Sequence, residues 1–352
     1  MTNCIFKPLI PIMKTDVDVV ILGAGMAGLA LARALTGPGR NLSVTVLEPR
    51  TLRLDTRLWI FPAASGHALA RFARLETRDV SLAGRAGRLQ ASPIWTVPAA
   101  DVQAAAVEAL SASVLARLET GVRIDRVSAA ARGALVDCSL GPIRTAQVVD
   151  TRAGADHAVG ARDWTQIALS ARIEGADAPP RFELGAPVAQ AGGINLIQRH
   201  DLGGGVQLVE AVRYAPPGDD GAGLRAVLDG ALAAPGGGAP RRTVLPLLPP
   251  PARRVQSGAI IAAPARAGGL RFAVGMEALR LTQWAQASAH SLDEGRLILP
   301  PPDPGTAARA PALTLARRLR EGAGPAAAWL EQTLASLEPD AAIAFLAGSG
   351  PA

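Results

Sequence analysis

The sequence is poor in aromatic residues and in lysine: only 3% of its 352 residues are Phe, Trp or Tyr, and Lys7 and Lys14 are its two lysines. Proteins that bind single-stranded nucleic acid combine a basic groove with stacking aromatic side chains. Here the basic residues are scattered arginines and short pairs such as Arg241-Arg242. The net charge of +6 therefore predicts a solvated surface and no nucleic-acid partner. An anionic membrane surface is the alternative partner for such pairs.

Cysteine and histidine are also scarce. Cys4 and Cys138 lie far apart and form no Cys-x-x-Cys pair, which indicates reduced thiols in a cytoplasmic protein. The histidines are isolated from one another and from the cysteines, so no metal site is predicted and each histidine is expected on the surface or in a loop. They are His67, His157, His200 and His290.

Long apolar runs are missing as well. No segment reaches the ~20 residues of a transmembrane helix, and the apolar stretch 5–13 is interrupted by Lys7 and two prolines, with no small-residue cleavage site after it. We expect a cytoplasmic protein, and the sequence leaves open a shallow contact with the inner face of the cell membrane. Signatures of serine hydrolases, P-loops and zinc hydrolases are missing too, which argues against those chemistries.

A glycine fingerprint lies near the start of the chain. An apolar run leads into Gly23, Gly25 and Gly28, after which small and apolar residues continue at helical spacing. In such a unit the first glycine permits the turn, the second lets a pyrophosphate approach the backbone, and the third allows close helix packing. Glu48 ends the next apolar strand, where a carboxylate binds a ribose hydroxyl. The pattern predicts a dinucleotide site and favours FAD or NAD over NADP.

Two later stretches extend this prediction. An apolar strand ends at Asp150, and ligands gather at the carboxyl ends of strands in a doubly wound sheet. Asp150 is therefore expected to face the nucleotide, unless it only forms a turn. Farther along, a strand is followed by Gly268 and Gly269 and by a helix from about residue 270, an order that would bring a second backbone patch to the cofactor.

The remaining pattern predicts an antiparallel region between helices. A turn at 203–205, formed by three glycines, joins two apolar strands into a hairpin. Asp101 is placed as the N-cap of a surface helix. The predicted strands are 121–127, 133–140, 146–150, 166–173, 195–199 and 206–214, and the predicted helices are 67–75, 101–118, 221–234, 311–321 and 325–337.

Glu210 is the most informative acid in the sequence. Alternation along its strand puts it on the same face as the apolar side chains of Val206, Leu208, Val212 and Tyr214. A carboxyl group in apolar company is costly to ionise, so its pKa should rise and leave it protonated near neutral pH. A neutral acid of this kind can protonate an apolar substrate. The alternative is an edge-strand carboxylate in water or paired with an arginine.

The segment 206–215, which contains Leu208-Val209-Glu210 and Arg213-Tyr214-Ala215, resembles the substrate-domain strand of bacterial lycopene β-cyclases. Further stretches match that family in the same order, and together they span roughly residues 17–285. They are 23–35, 58–61 and 148–152, with a weaker match at 259–273. The chain is identified by these motifs as a divergent member of the family.

The resemblance implies an α/β fold, in which a Rossmann-type FAD-binding domain carries an inserted antiparallel β-rich substrate domain and a small C-terminal helical piece follows. The FAD-binding domain would comprise 16–54, 100–155 and 244–300. The substrate domain would comprise 55–99 and 156–243, and the C-terminal helices and tail 301–352.

The resemblance also implies a reaction and its residues. In the family, reduced FAD is required, with NAD(P)H as the electron source, and an acid protonates a terminal alkene of an acyclic carotenoid. The carbocation closes a six-membered ring and then loses a proton, with no net redox change. Glu210 would be the acid. The residues implied to hold FAD are Gly23, Gly25, Gly28, Glu48, Asp150, Gly268 and Gly269, and those facing substrate or flavin are Arg57, Trp59, Phe61 and Tyr214.

The sequence also departs from the family. The family has acidic and hydroxyl residues after the catalytic Glu, whereas this sequence has Ala211 and Val212 there. The family has a glycine after the central Asp, whereas this sequence has Thr151. An FAD-dependent monooxygenase or dehydrogenase acting on an apolar substrate, or a non-catalytic flavoprotein paralogue, are the competing hypotheses. The sequence indicates neither an oligomeric state nor a role for the C-terminal helices.

Overall fold

The computed structural model describes residues 16–152, 164–174, 179, 181–232, 240–246, 259–262, 276–299 and 305–347. The first strands are β1 (Val17–Leu22), β2 (Val44–Glu48), β3 (Leu58–Pro62), β4 (Leu75–Thr77), β5 (Asp79–Leu82), β6 (Arg85–Arg88), β7 (Ile94–Pro98), β8 (Ala116–Thr120) and β9 (Ile124–Ala129). The later strands are β10 (Ala134–Cys138), β11 (Gly141–Asp150), β12 (Thr165–Glu174), β13 (Arg181–Leu184), β14 (Val188–Gln190), β15 (Gly193–Asp201), β16 (Val206–Ala215), β17 (Arg241–Pro246) and β18 (Ile260–Ala262). The helices are α1 (Met26–Leu35), α2 (Ala99–Ala112), α3 (Leu224–Ala231), α4 (Met276–Asp293), α5 (Gly305–Glu321), α6 (Ala323–Ser336) and α7 (Pro339–Ala347).

A seven-stranded sheet carries the glycine fingerprint. Its order is β8-β2-β1-β11-β10-β9, and β18 pairs with β11 beyond this path. β1 runs parallel to both β2 and β11, and its residues 19–22 are fully buried, as expected for a strand covered on both faces. Helices α1, α2 and α4 contribute side chains to the core on one side of this sheet. The carboxyl ends of β1, β2 and β11 therefore meet at one edge.

An eight-stranded sheet forms the second layer. Its order is β17-β12-β16-β15-β13-β5-β6, with β14 on β15. Helix α3 covers one face of β16 through Leu224 and Leu228. Helices α5, α6 and α7 share a core with the opposite face. The C-terminal helices are thus part of the wall that closes this sheet.

A small sheet, β3-β7-β4, lies between these layers. Burial alternates along β3, with Trp59 and Phe61 buried and the intervening residues partly buried. Trp59 and Phe61 belong to a core that includes Leu279 of α4, whereas Ile60 packs against the core of the eight-stranded sheet. Strand β3 therefore contacts both large layers.

The structure corrects several predicted elements. The helix predicted over 101–118 spans Ala99–Ala112, and residues 116–118 belong to β8, because pairing with β2 overrides the helical pattern. Asp101 lies in the first turn of α2 and Pro98 occupies the N-cap position. The helix is not purely a surface one, since Val102, Ala106 and Leu110 are buried. The segment 67–75 forms only a short 3-10 helix, Ala70–Phe72.

The C-terminal half of the chain also differs from the predicted organisation. The predicted domain boundary between residues 243 and 244 falls inside β17, a strand of the eight-stranded sheet. Helix α7 was not predicted. Among the residues that the structure describes, no helix has the length and apolar character needed to span a membrane.

Candidate functional site

The glycine fingerprint forms the turn between β1 and α1, and two of its glycines are required by geometry. Gly23 has φ +98°, a conformation that L side chains rarely adopt. A Cβ on Gly28 would lie 2.0 Å from the carbonyl oxygen of Gly23, so only glycine allows the helix to approach the strand this closely. Gly25 differs, since a Cβ there would meet no described atom within 4 Å. The space beside Gly25 is available to a ligand.

The N-terminus of α1 fits an anionic ligand. Gly25 is the N-cap residue, so no side chain caps the helix, and its first turn contains no acidic residue. The N–H groups of that turn and the positive end of the helix dipole are therefore directed at the open side of the turn. A pyrophosphate fits this arrangement.

Glu48 lies at the end of β2, beside this turn. Its Oε2 accepts the backbone N–H of Ala24 at 2.8 Å, and its Oε1 accepts the backbone N–H of Arg50 at 3.1 Å. The residue is only 6% exposed. Because a carboxylate offers about four acceptor positions, Glu48 retains capacity for a ribose hydroxyl. The amides at the start of α1 and the carboxylate of Glu48 thus fit the ADP part of FAD.

Asp150 ends β11 directly beside Leu22 of β1. It lies at the edge of the sheet where the nucleotide was predicted, but its carboxylate forms a bidentate pair with Arg152, at 3.0 Å to Nε and 2.9 Å to Nη2. Thr151, which replaces a glycine of the family, is held by its hydroxyl, which lies 2.8 Å from the carbonyl oxygen of Leu22 and 3.0 Å from that of Gly23. The substitution is thereby accommodated within the turn. Gly268 and Gly269 lie outside the described residues.

A second site is a cavity between the eight-stranded sheet, β3 and α7. Pockets with apolar walls and a few polar groups are typical of small-molecule sites. Its apolar wall includes Ile60, Phe61, Phe182, Leu196, Ile343 and Leu346. The polar side chains in its wall are Gln198, His200, Glu210 and Tyr214.

Glu210 occupies the predicted face of β16. Leu208 and Tyr214 line the cavity with it, while Val209 and Ala211 point to the other side, toward α3. Burial raises the pKa of Glu210 to about 7, although the positive charge of Arg57 lowers it. The carboxyl group is therefore about half protonated at pH 7 and mostly protonated below it, in the direction that the alternation predicts.

His200 and Gln198 also belong to the cavity, and neither was predicted as a site residue. Gln198 lies directly opposite Glu210 in the pairing of β15 with β16, and His200 lies opposite Leu208. The expectation that His200 is a surface residue is wrong, since it is 5% exposed and its ring lies 4.7 Å from that of Phe182. Burial lowers the pKa of His200 to about 3. Strand alternation would have identified it, had the predicted strand extended past residue 199.

Arg57 acts on the site from the loop before β3. Its Nε donates to Asp55 at 2.6 Å, and Arg241 of β17 contacts the same carboxylate at 3.1 Å. Burial raises the pKa of Asp55, but the hydrogen bonds and charge of Arg57, aided by Arg241, bring it below its ordinary value. Asp55 therefore stays ionised and fixes Arg57, whose charge reaches Glu210.

The remaining predicted residues separate into two groups. Phe61 and Tyr214 line the cavity. Burial raises the pKa of Tyr214, and the charge of Glu210 raises it further, so this phenol stays neutral. Trp59 does not line this cavity; it is 3% exposed within the core formed with α4.

Comparison with solved structures places the fold among FAD-dependent monooxygenases and related flavoproteins. A probable FAD-dependent monooxygenase from Pseudomonas aeruginosa, PqsL, has 17% identity and a TM-score of 0.55, with 94% of this chain and 99% of that chain covered. A flavoprotein/dehydrogenase from Cytophaga hutchinsonii has 14% identity and a TM-score of 0.59, with 94% and 92% covered. The Diels-Alderase PyrE3 of pyrroindomycin biosynthesis has 20% identity and a TM-score of 0.57, with 94% and 80% covered.

Sequence comparison finds a matching family model over part of the chain. No curated protein matches the chain. Residues 18–188 match the family model described as lycopene cyclase protein. The match includes the glycine fingerprint, Glu48, strand β3 and Asp150, and it ends before Glu210 of β16. Over residues 18–188 the chain is similar to the lycopene cyclase family, which is the family that its motifs resemble.

Proposed function

We propose that the chain is an FAD-dependent enzyme that cyclises the end of an acyclic carotenoid without net oxidation or reduction. The observation that carries this proposal is the position of Glu210 in an apolar cavity, where burial raises its pKa to about 7. Carboxylic acids kept neutral by apolar surroundings are the groups that protonate weakly basic substrates. The family match over residues 18–188 supports the same chemistry.

FAD would be held by the turn after β1 and by Glu48. The amides at the start of α1 would bind the pyrophosphate, and the carboxylate of Glu48 would accept a ribose hydroxyl. Reduced flavin supplies an electron-rich ring that stabilises positive charge on a neighbouring substrate. NAD(P)H would be the source of its electrons.

Glu210 would start the reaction inside the cavity. Its O–H bond breaks as a C–H bond forms at the terminal alkene, and the π electrons of a second alkene then close the ring. The carbocation must be kept from water, and the side chains of Ile60, Leu196 and Leu346 provide an apolar wall. The aromatic faces of Phe61 and Phe182 in the same wall attract positive charge.

The test is pigment analysis in cells that accumulate lycopene. We expect cyclised product with the wild-type chain and its loss with Glu210→Gln, which keeps the shape but lowers the acidity. Glu183→Gln is the matched control, because Glu183 lies on β13 of the same sheet and pairs with Arg199 outside the cavity wall. An unchanged pigment with a flavin-loaded wild-type protein would contradict the proposal. The absorption spectrum of the purified protein tests flavin binding separately.

A monooxygenase acting on an apolar substrate is the second candidate. The fold favours it, since it is shared with an enzyme described as a probable FAD-dependent monooxygenase. That activity would consume oxygen and NAD(P)H in a substrate-dependent manner and yield a hydroxylated product. A flavin-loaded protein with neither product would favour a non-catalytic flavoprotein.

The proposed substrate resides in the lipid bilayer. We therefore propose that the chain works in the cytoplasm and contacts the inner face of the cell membrane peripherally. Cosedimentation with vesicles that carry the carotenoid tests this contact, and protein that stays in the supernatant at every lipid composition would argue against it.

A further inference from the structure

The cavity contains a second group suited to proton transfer, on the strand beside Glu210. Glu210 and Gln198 lie opposite one another, and His200 is two residues beyond Gln198 on β15. Successive side chains alternate between the faces of a strand, so His200 and Glu210 project from the same face. Diagonal neighbours of this kind are roughly 7 Å apart. Both side chains line the same cavity.

We infer that His200 is the catalytic base that removes the ring proton after cyclisation. This inference rests on the proposed cyclase function, and it concerns the second half of that reaction. Glu210 supplies a proton at one end of the reacting segment, and His200 takes one from the carbon next to the cationic centre. The C–H bond breaks there, and its electron pair forms the ring double bond.

The surroundings of His200 suit this role. The residue is buried, and its ring packs at 42° to that of Phe182. The side chain of His200 lines the cavity, so the imidazole faces a substrate bound there. Burial also keeps the imidazole neutral, because its pKa is lowered to about 3. A neutral imidazole accepts a proton, whereas an imidazolium cannot.

The surroundings of Glu210 and His200 restore the starting protonation states of both groups after each turnover. In water a carboxyl group is the stronger acid and an imidazole the stronger base. In this cavity the order is reversed, since burial raises the pKa of Glu210 to about 7 and lowers that of His200 to about 3. Once the product has left, the imidazolium therefore releases its proton to water and the carboxylate of Glu210 takes one up from water. One proton enters the substrate and one leaves it, so the product is an isomer of the substrate.

The charged group acting on this pair is Arg57, which lowers the pKa of Glu210. Tyr214, which also lines the cavity, stays a neutral phenol. His200 is thus neutral near neutral pH, and Glu210 is mostly neutral below its pKa of about 7. No other titrating group in the described wall provides the acceptor.

The test compares product composition among variants in cells that accumulate lycopene. We expect His200→Gln to lower the rate of cyclisation by about 100-fold, the lower range for loss of a general base, and to shift the product. Without the base, the cation loses its proton at a different carbon or is captured by water, which gives a ring isomer or a hydroxylated ring. His200→Phe retains an aromatic ring beside Phe182 but accepts no proton, so it should show the same shift. His290→Gln, at a histidine whose side chain is 72% exposed, is the control and should match the wild type.

The outcomes separate this inference from the proposed function. Wild-type rate and ring composition in both His200 variants would overturn the role of His200 and leave the cyclase function standing. A normal product with His200→Phe but not with His200→Gln would show a packing role and would also overturn it. No cyclised product from the wild-type chain would overturn the cyclase function itself, and the role of His200 with it.

Discussion

Glu48 accepts the backbone N–H of Ala24 at 2.8 Å, which joins the end of β2 to the glycine turn after β1. A hydrogen bond between a ribose hydroxyl and a charged carboxylate contributes about 1.5–3 kcal/mol, so Glu48→Ala should weaken FAD binding by roughly tenfold or more. Glu48→Gln keeps a carbonyl oxygen for Ala24 and should have the smaller effect. Titration of the apoprotein with FAD, followed by flavin fluorescence, measures both. Equal affinities for the Ala variant and the wild type would exclude Glu48 from the site.

Gly25 and Gly28 provide a matched pair of substitutions. Gly28→Ala places a Cβ 2.0 Å from the carbonyl oxygen of Gly23, so it should destabilise the chain with or without flavin. Gly25→Ala meets no described atom and should leave the free energy of unfolding of the apoprotein unchanged while weakening FAD binding. Denaturation of the apoprotein and a flavin titration separate the two effects. Tight flavin binding by Gly25→Ala would place the pyrophosphate elsewhere.

The sequence was sufficient to predict features that depend on local pattern. Gly23 and Gly28 were assigned from spacing alone, and the structure shows why no other residue fits there. The face of Glu210 was predicted because β16 alternates regularly over its length and pairs on both sides, with β12 and β15.

The rest of the cavity depends on contacts between distant parts of the chain. Phe182 reaches His200 through the pairing of β13 with β15, and Ile343 and Leu346 arrive from α7. An amphipathic pattern indicates that a helix has a buried face, but not what covers it. For the same reason the sequence could predict that Trp59 is buried, but not where. Trp59 lies in the core beside α4 and not in the cavity wall.

Arg57 sets the acidity of Glu210 through its charge. Arg57→Gln should raise the pKa of Glu210 further, because the charge that lowers it is lost. The activity, which requires the protonated acid, should then persist to higher pH than in the wild type. Arg241→Gln is the control, since Arg241 contacts Asp55 at 3.1 Å but does not act on Glu210. A pH profile of cyclisation rate that shifts equally in both variants would show that the effect comes through Asp55.

Arg213 stabilises the end of the hairpin formed by β15 and β16. Its guanidinium is 7% exposed, lies 2.7 Å from Asp219 and donates to Asn195 at 3.0 Å. Removing one partner of a buried charge pair costs about 3–5 kcal/mol, so Arg213→Met should lower the free energy of unfolding by that order. The double variant with Asp219→Asn should recover part of the loss, because no unpaired charge remains. Chemical denaturation measures both changes. A loss below about 1 kcal/mol would show that the pair contributes no more than a solvent-exposed salt bridge.

Glu210 and His200 make opposite contributions to stability as pH changes. The folded pKa of Glu210 is about 7 against an ordinary 4.5, so its contribution to the free energy of unfolding falls as pH rises from 4.5 to 7. The folded pKa of His200 is about 3 against 6.5, so its contribution rises with pH between 3 and 6.5. Glu210→Gln removes the first effect. The variant should therefore gain stability relative to the wild type between pH 4.5 and 7, by at most roughly 3 kcal/mol, with a constant difference outside that range. Denaturation of both proteins across pH 4–8 measures this difference, and the effects of the other titrating groups cancel in it. A difference independent of pH would mean that Glu210 is solvated rather than buried in the cavity wall.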